Sequence, residues 1–226
     1  MRTLAIGDIH GCNGALRALL EAVQPGPEDQ VIFLGDYIDR GPASRGVVDS
    51  LLDLENTGST IFLRGNHEAM ILDAREDALK ANLWQSYGGL ETLYSYKANY
   101  RPDWAATIPA GHWKFFERTV RFFENDTHIF VHACLDRDLD MSEQPDWLLY
   151  WEFFDRLQAH KSGKRIVCGH TPQSSGEIND SGFGACIDTG PAFGGWLTCL
   201  DVNSGKYWQA KEDGTTRAGI LRPRAA

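Results

Sequence analysis

Three short apolar runs near the N-terminus end alike, in glycine followed by an acid or an amide. They are Leu4-Ala5-Ile6-Gly7-Asp8, Ile32-Phe33-Leu34-Gly35-Asp36 and Phe62-Leu63-Arg64-Gly65-Asn66. Their polar ends recur about every 30 residues, the span of a β-α-β unit. Between the first two, Leu16, Leu19, Leu20 and Val23 fall at i, i+3, i+4 and i+7. That spacing predicts an amphipathic helix, which Pro25-Gly26-Pro27 stops. Between the second and third, Val47, Leu51 and Leu54 repeat the pattern, Val48 and Leu52 widen the stripe, and Asn56-Thr57-Gly58 closes the helix. Strands alternating with helices predict a parallel sheet, whose right-handed crossovers bring the strand C-termini to one edge. Open α/β sheets bind ligands at that edge. Asp8, Asp36 and Asn66 are therefore expected to converge.

Residues 70–127 read as a helical and loop insert. It is rich in aromatics (Trp84, Tyr87, Tyr94, Tyr96, Tyr100, Trp104, Trp113) and interrupted by Gly88-Gly89, Pro102 and Pro109. Such a stripe is expected to pack helices together. Strands resume at Ile129-Phe130-Val131, Ile166-Val167-Cys168, Ala185-Cys186-Ile187, Leu197-Thr198-Cys199-Leu200 and Lys206-Tyr207-Trp208. The last three, separated by Gly-rich turns, read as an antiparallel or mixed sheet. No linker composition divides the chain, so one domain over residues 1–226 is expected, fraying from about Arg217.

Composition narrows the class. Hydrophobic residues make up 42% of the chain and charged residues 23%, as in a globular protein with a core. No apolar run approaches the roughly 20 residues of a membrane span, and the N-terminus has no signal-peptide pattern. The five cysteines (Cys12, Cys134, Cys168, Cys186, Cys199) are odd in number, scattered and never C-x-x-C. They read as free thiols in a reducing cytoplasm, with neither a disulfide framework nor a thiolate metal site. A net charge of −9 disfavours a nucleic-acid partner, and no membrane partner is expected. A phosphate substrate would need local positive charge.

Candidate chemistry sits on five strand ends: Asp8-Ile9-His10, Asp36, Asn66-His67, His132 and His170. Four of the seven histidines fall there, while His112, His128 and His160 do not. Imidazoles, carboxylates and an amide oxygen form a mixed nitrogen and oxygen donor set suited to Mn, Fe or Zn. The set lacks the sulfur of a closed structural zinc site.

Gly7-Asp8-Ile9-His10-Gly11, Gly35-Asp36-Tyr37-Ile38-Asp39-Arg40-Gly41 and Arg64-Gly65-Asn66-His67-Glu68 resemble, in order and spacing, the three signature blocks of the phosphoprotein phosphatases. That family belongs to the calcineurin-like metallophosphoesterases. Phe130-Val131-His132-Ala133 and Gly169-His170-Thr171-Pro172 resemble its two later histidine blocks. Ile187-Asp188-Thr189-Gly190, followed by Gly194-Gly195, is similar to the closing segment of bacterial and phage-type members. The resemblance covers roughly residues 3–202 and implies an α/β fold, the four-layer α/β/β/α metallophosphatase sandwich with mixed sheets. It also implies two divalent metal ions, Mn foremost and Fe or Zn as alternatives. Asp8 and His10 would bind the first ion, Asp36 would bridge, and Asn66, His132 and His170 would complete the second. Such a pair binds phosphate and lowers the pKa of a water, and its charge outweighs that of Asp8 and Asp36.

By the same resemblance His67 is the general acid and Asp39 orients it, while Arg40 and Arg64 grip the phosphate. Two positions depart from the family pattern. Glu152 stands where a further phosphate-binding arginine is expected, and Arg156 could substitute if the stretch is helical. Cys134 replaces a small glycine.

The implied activity is a serine/threonine protein phosphatase acting on phosphoproteins or small phosphate esters. The alternative enzyme is a nucleotide hydrolase similar to the symmetrical dinucleoside tetraphosphatases. Asp39 before Arg40 and Glu68 after His67 favour the former, since that hydrolase subfamily tends toward Ala and Asp there. A non-catalytic metal-binding interaction protein is the third reading. The presence of all six ligand positions, Asp39 and His67 weighs against it.

Overall fold

The computed structural model describes residues 1–55, 59–99 and 101–221. The expected helix stop at Asn56-Thr57-Gly58, and Tyr100 in the insert, lie outside the described residues. The first half alternates as the periodicity predicts: β1 (Thr3–Ile6), α1 (Asn13–Val23), β2 (Gln30–Phe33), α2 (Ser44–Glu55), β3 (Ser59–Phe62) and α3 (Asn66–Glu76). The insert continues with α4 (Ala78–Trp84), α5 (Leu90–Ser95) and α6 (Ala110–Arg118). It then ends in a strand the sequence reading missed, β4 (Phe122–Glu124). After β5 (His128–Val131) come α7 (Asp146–Trp151), β6 (Arg165–Cys168), β7 (Asn179–Asp180), β8 (Gly184–Cys186) and β9 (Asp188–Thr189). Last are β10 (Trp196–Asp201), β11 (Lys206–Ala210) and β12 (Thr216–Ile220).

Two mixed sheets face each other. The first runs β12-β11-β10-β1-β2-β3, with β9 also on β10; the second runs β4-β5-β6-β8-β7. In the first, β1, β2 and β3 are parallel, and β10, β11 and β12 continue antiparallel from β1. In the second, β5, β6 and β8 are parallel. Ala185-Cys186 therefore leaves the company of β10 and β11, correcting the single late sheet expected from the turns. Thr216–Ile220 also corrects the frayed tail, because its backbone groups pair along β11.

Alternation along each strand sets the layers. Leu4, Ile6, Val31 and Phe33 face α1, α2 and the insert, whereas Ala5 and Ile32 face the other sheet. Phe130 and Val167 meet them from that sheet, while Ile129, Val131, Ile166 and Cys168 turn outward onto Leu149, Tyr150 and Phe154. The result is helix, sheet, sheet, helix. With both faces covered, β1 and β5 read as continuous apolar runs.

One ion pair anchors the start of this arrangement. Asp29 accepts from the backbone N–H of Arg2 and from its Nε and Nη2, at 2.8, 3.0 and 2.5 Å. The same guanidinium donates to the carbonyls of Val23 and Gln24 at the end of α1. The hydrogen bonds from Arg2 outweigh burial and hold the Asp29 carboxyl well below the usual carboxylate range. A depressed carboxylate contributes stability that is complete above its unfolded pKa and is lost as pH falls toward the folded value. Asp29→Ala should therefore cost about 2 kcal/mol at pH 7. In urea denaturation the gap from wild type should narrow once pH drops below about 4.

Candidate metal centre and its surroundings

Six strands deliver polar side chains to one edge. Asp8 and His10 follow β1, Asp36 follows β2, and Asn66 and His67 open α3 after β3; His132 follows β5, His170 follows β6 and Asp188 follows β8. Parallel strands in both sheets point the same way, so the edge collects residues from stretches far apart in sequence. All are buried except His170, which is partly exposed.

Asp36 is central. Its Oδ2 lies 3.3 Å from His10 Nε2 and 3.9 Å from His67 Nε2, and its Oδ1 lies 3.5 Å from His132 Nε2. Asn66 Oδ1 stands 3.0 Å from His132 Nε2 and 3.1 Å from His170 Nδ1. Donor atoms of His10, Asp36 and His67 form one group within 4.8 Å of one another, and those of Asp36, His132 and His170 form a second. Asp8 stands apart from both groups and accepts the backbone N–H of His170 at 3.0 Å.

The outer nitrogen of each imidazole is occupied, which turns the inner one toward the centre. His10 Nδ1 meets Ile38 O at 2.9 Å, His132 Nδ1 meets Leu34 O at 2.9 Å, and His170 Nε2 meets Trp151 O at 3.2 Å. A carbonyl acceptor fixes the proton on the outer nitrogen and leaves a lone pair inside, as metal-ligating histidines require. Burial depresses His132 to about 3 and also lowers His170, so both imidazoles are neutral at pH 7. Burial opposes ionisation of Asp36, but His132, His67 and His10 around it hold it well below its usual range. Asp8 is pushed the other way by burial and by its neighbours Asp188 and Asp36. Neutral imidazoles beside crowded carboxylates are a donor set that divalent cations fit.

His67 has different surroundings. Its ring is fully buried, Nδ1 is 2.6 Å from Asp39 Oδ2, and Nε2 has no hydrogen-bond partner among the described residues. Asp39, also fully buried, takes Trp84 Nε1–H at 2.8 Å on the same oxygen and Thr92 Oγ1–H at 2.6 Å on the other. Its backbone N–H goes to Thr92 Oγ1 and Ser44 Oγ. Trp84 and Thr92 belong to α4 and α5, so the insert holds the His67 dyad in place. The Trp84–Trp104–Trp113 stack that supports Trp84 is the packing role expected of the aromatic stripe.

The two arginines separate. Arg40 reaches His10 Nε2 with Nη1 at 2.5 Å and lies over the Phe193 ring at 5.5 Å, at the mouth of the centre. Arg64 is also tied to the end of α6: its Nε donates to Thr119 Oγ1, and its Nη2 donates to the carbonyls of Phe116, Glu117 and Thr119. Arg156 does not take the place of the arginine missing at Glu152. Glu152 is extended (φ −80, ψ 142), so α7 ends at Trp151, and Glu152 and Arg156 line a cleft with Asp136 and Trp147.

The backbone of the centre is strained. Seven described non-glycine residues have positive φ, and five of them (His10, Asp36, Asp39, Arg40, His170) are here. Each such conformation costs on the order of 1–3 kcal/mol and persists where surroundings over-determine it. Glu68 supplies much of that determination. Its carboxylate takes the N–H groups of Asp36, Tyr37 and Gly65 at 2.8, 2.9 and 3.0 Å, pinning the Asp36 turn to the start of α3. Burial and Asp36 raise Glu68 to about 8. Gly65 and Gly169 permit the close approach, because a Cβ on either would strike the carboxylate of Asp36 or Asp8.

Sequence reasoning placed Glu68 and Asp188 in signature segments and Trp84 in a packing stripe, but gave none of them, nor Thr92, a part in the site. Asp188 had a readable signal, since Ala185-Cys186-Ile187-Asp188 repeats the theme of an apolar run ending in an acid. It is 1% exposed, Oδ2 has no partner among the described residues, and burial lifts its pKa to about 6. Glu68, Trp84 and Thr92 carry no such mark, because their partners come from other loops.

Comparison with known proteins agrees with this geometry. The chain is 30% identical over 223 residues to serine/threonine-protein phosphatase 1 of Salmonella typhimurium, covering 87% of this chain and 90% of that protein. It is 27% identical to an asymmetrical bis(5'-nucleosyl)-tetraphosphatase of a Geobacillus species, covering 88% and 90%. The crystal structure of a putative diadenosine tetraphosphatase shares the fold, with TM-score 0.65, 20% identity and coverage of 97% and 93%. Residues 1–194 match the calcineurin-like phosphoesterase family as a whole. The chain belongs to that family and is a metallophosphoesterase.

Proposed function

We propose that this protein hydrolyses phosphate monoesters on phosphoproteins, with seryl and threonyl phosphates as principal substrates and two manganese ions as cofactor. The observation that carries the reading is His67, whose Nδ1 is held on Asp39 while Nε2 faces the centre with no partner among the described residues. A buried imidazole fixed at one nitrogen and free at the other is placed to give a proton to a leaving group. In this reading Asp8, His10, Asp36, Asn66, His132 and His170 would hold the two ions, which would supply Lewis-acid stabilisation of the phosphate and a water of lowered pKa. Arg40 donates to the phosphate oxygens from beside His10. His67 passes its Nε2 proton to the departing alkoxide, and Asp39 stabilises the charged imidazole before that transfer.

The Salmonella phosphatase, similar over nearly the whole chain, supports the phosphoprotein reading, as do Asp39 before Arg40 and Glu68 after His67. The tetraphosphatase relatives support nucleotide hydrolysis as the competing reading. Five free, buried cysteines support a cytoplasmic setting, and a net charge of −9 argues against nucleic acid as partner.

Three outcomes are expected. His67→Asn should lower kcat roughly 10²–10⁴-fold on a phosphoseryl peptide, and far less on p-nitrophenyl phosphate, whose leaving group needs little protonation. Equal losses on both would remove His67 from the acid role. Trp84→Phe keeps an aromatic ring but takes one donor from Asp39, and should lower kcat on the seryl peptide about tenfold with KM nearly unchanged. With Mn present, the phosphoseryl peptide should be turned over faster than diadenosine tetraphosphate. The reverse order would reassign the substrate to nucleotides and leave the chemistry in place.

A further inference from the structure

The insert helices are apolar on both faces. Inward, Ala81, Trp84 and Leu93 of α4 and α5 are buried in the core. Outward, Leu79, Leu83, Tyr87 and Leu90 follow one another three or four residues apart, along α4, the turn Gln85–Gly89 and the start of α5. These four are 79%, 55%, 47% and 41% exposed. A surface helix normally turns polar residues to water, and one that is apolar all round belongs inside an assembly. The four side chains leave on the order of 400 Å² open, inside the roughly 300–600 Å² range of patches that often serve a function.

The charges beside this seam indicate what fits it. Lys80 and Glu91 lie about three helical turns apart, so they share one flank of the outward face, a base toward its start and an acid toward its end. Lys80 reaches Asp73 at 2.8 Å, an exposed contact that leaves two of its three donors open. Glu91 has no ion pair among the described residues. We propose that this face binds a second copy of the chain, as an antiparallel two-fold dimer across α4 and α5. Antiparallel helices bring like flanks together, and a two-fold axis repeats each contact in reverse. An axis near Gln85-Ser86 sets Lys80 of each copy opposite Glu91 of the other, and Leu83 between the other's Tyr87 and Leu90. The seam is thus complementary to itself in charge as well as in apolarity. Its area also suits a dimer. A standard interface buries roughly 800 Å² per partner, a little over half of it apolar. The four apolar side chains supply that share, and Lys80, Asn82, Ser86 and Glu91 supply polar surface beside it.

Sedimentation equilibrium of the full chain tests the pairing, with circular dichroism to confirm that each variant is folded. Wild type should sediment as a dimer at micromolar concentration. Every contact occurs twice across the two-fold, so each substitution acts doubly. Leu83→Glu should raise the dimer Kd at least about a hundredfold and leave helix content unchanged. Lys80→Glu and Glu91→Lys should each raise it about tenfold by opposing like charges. The double variant, with the pair reversed, should return to within about threefold of wild type. This charge reversal keeps the test decisive even if Leu83→Glu does not fold. A wild-type chain that stays monomeric at about 100 µM would overturn the dimer and leave the face to a different protein. A dimer indifferent to Leu83→Glu, or a double variant as weak as its two single changes combined, would overturn it equally.

Discussion

The constraint on which the structure depends is the burial of carboxylates. Asp8, Asp36, Asp39, Glu68 and Asp188 are each 1% exposed or less and crowd around one edge of the two sheets. An uncompensated buried charge costs several kcal/mol, so each of these acids must be met by donors or cations, or remain protonated. Glu68 is met by three backbone N–H groups, Asp39 by His67, Trp84 and Thr92, and Asp36 by the backbone N–H of His67. Asp8, Glu68 and Asp188 keep elevated pKa values, and Asp188 has an oxygen with no partner among the described residues. This excess of negative charge is what makes the edge a place for divalent cations.

Compensation has a geometric cost, and the backbone bears it. Turns after β1, β2 and β6 place His10, Asp36 and His170 at positive φ, and Asp39 and Arg40 share that strain. Such turns hold only because neighbours lock them, Glu68 across the Asp36 turn and Ser44 with Thr92 behind Asp39. Glycines beside the acids complete the fit by leaving out the Cβ that would collide. Rigid placement of ligands and acid before substrate arrives is the condition for electrostatic catalysis.

The helical insert connects this core to function. Its α4 and α5 reach Asp39 from behind through Trp84 and Thr92, while Tyr87 and Gly88, between them, reach Arg40 and Trp151 at the mouth. One segment thus bears on both the proton-transfer pair and the entrance. Relatives similar over most of the chain carry the names of different hydrolases.

Local regularity explains what the sequence alone determined. Strands and helices of the first half and the strand-end placement of Asp8, His10, Asp36, Asn66, His132 and His170 were readable from period and spacing, while the His67–Asp39 pairing was implied by the family resemblance alone. The periodic features repeat along the chain, so a linear reading sees them. Tertiary structure alone decided that Ala185-Cys186 joins the second sheet, that Thr216–Ile220 pairs as a strand, and that Arg64 holds the end of α6. It also decided that Glu68, Trp84 and Thr92 serve Asp36 and Asp39. A hydrogen bond between side chains 45 or 53 residues apart leaves no periodic trace, because its geometry exists only after the layers have packed.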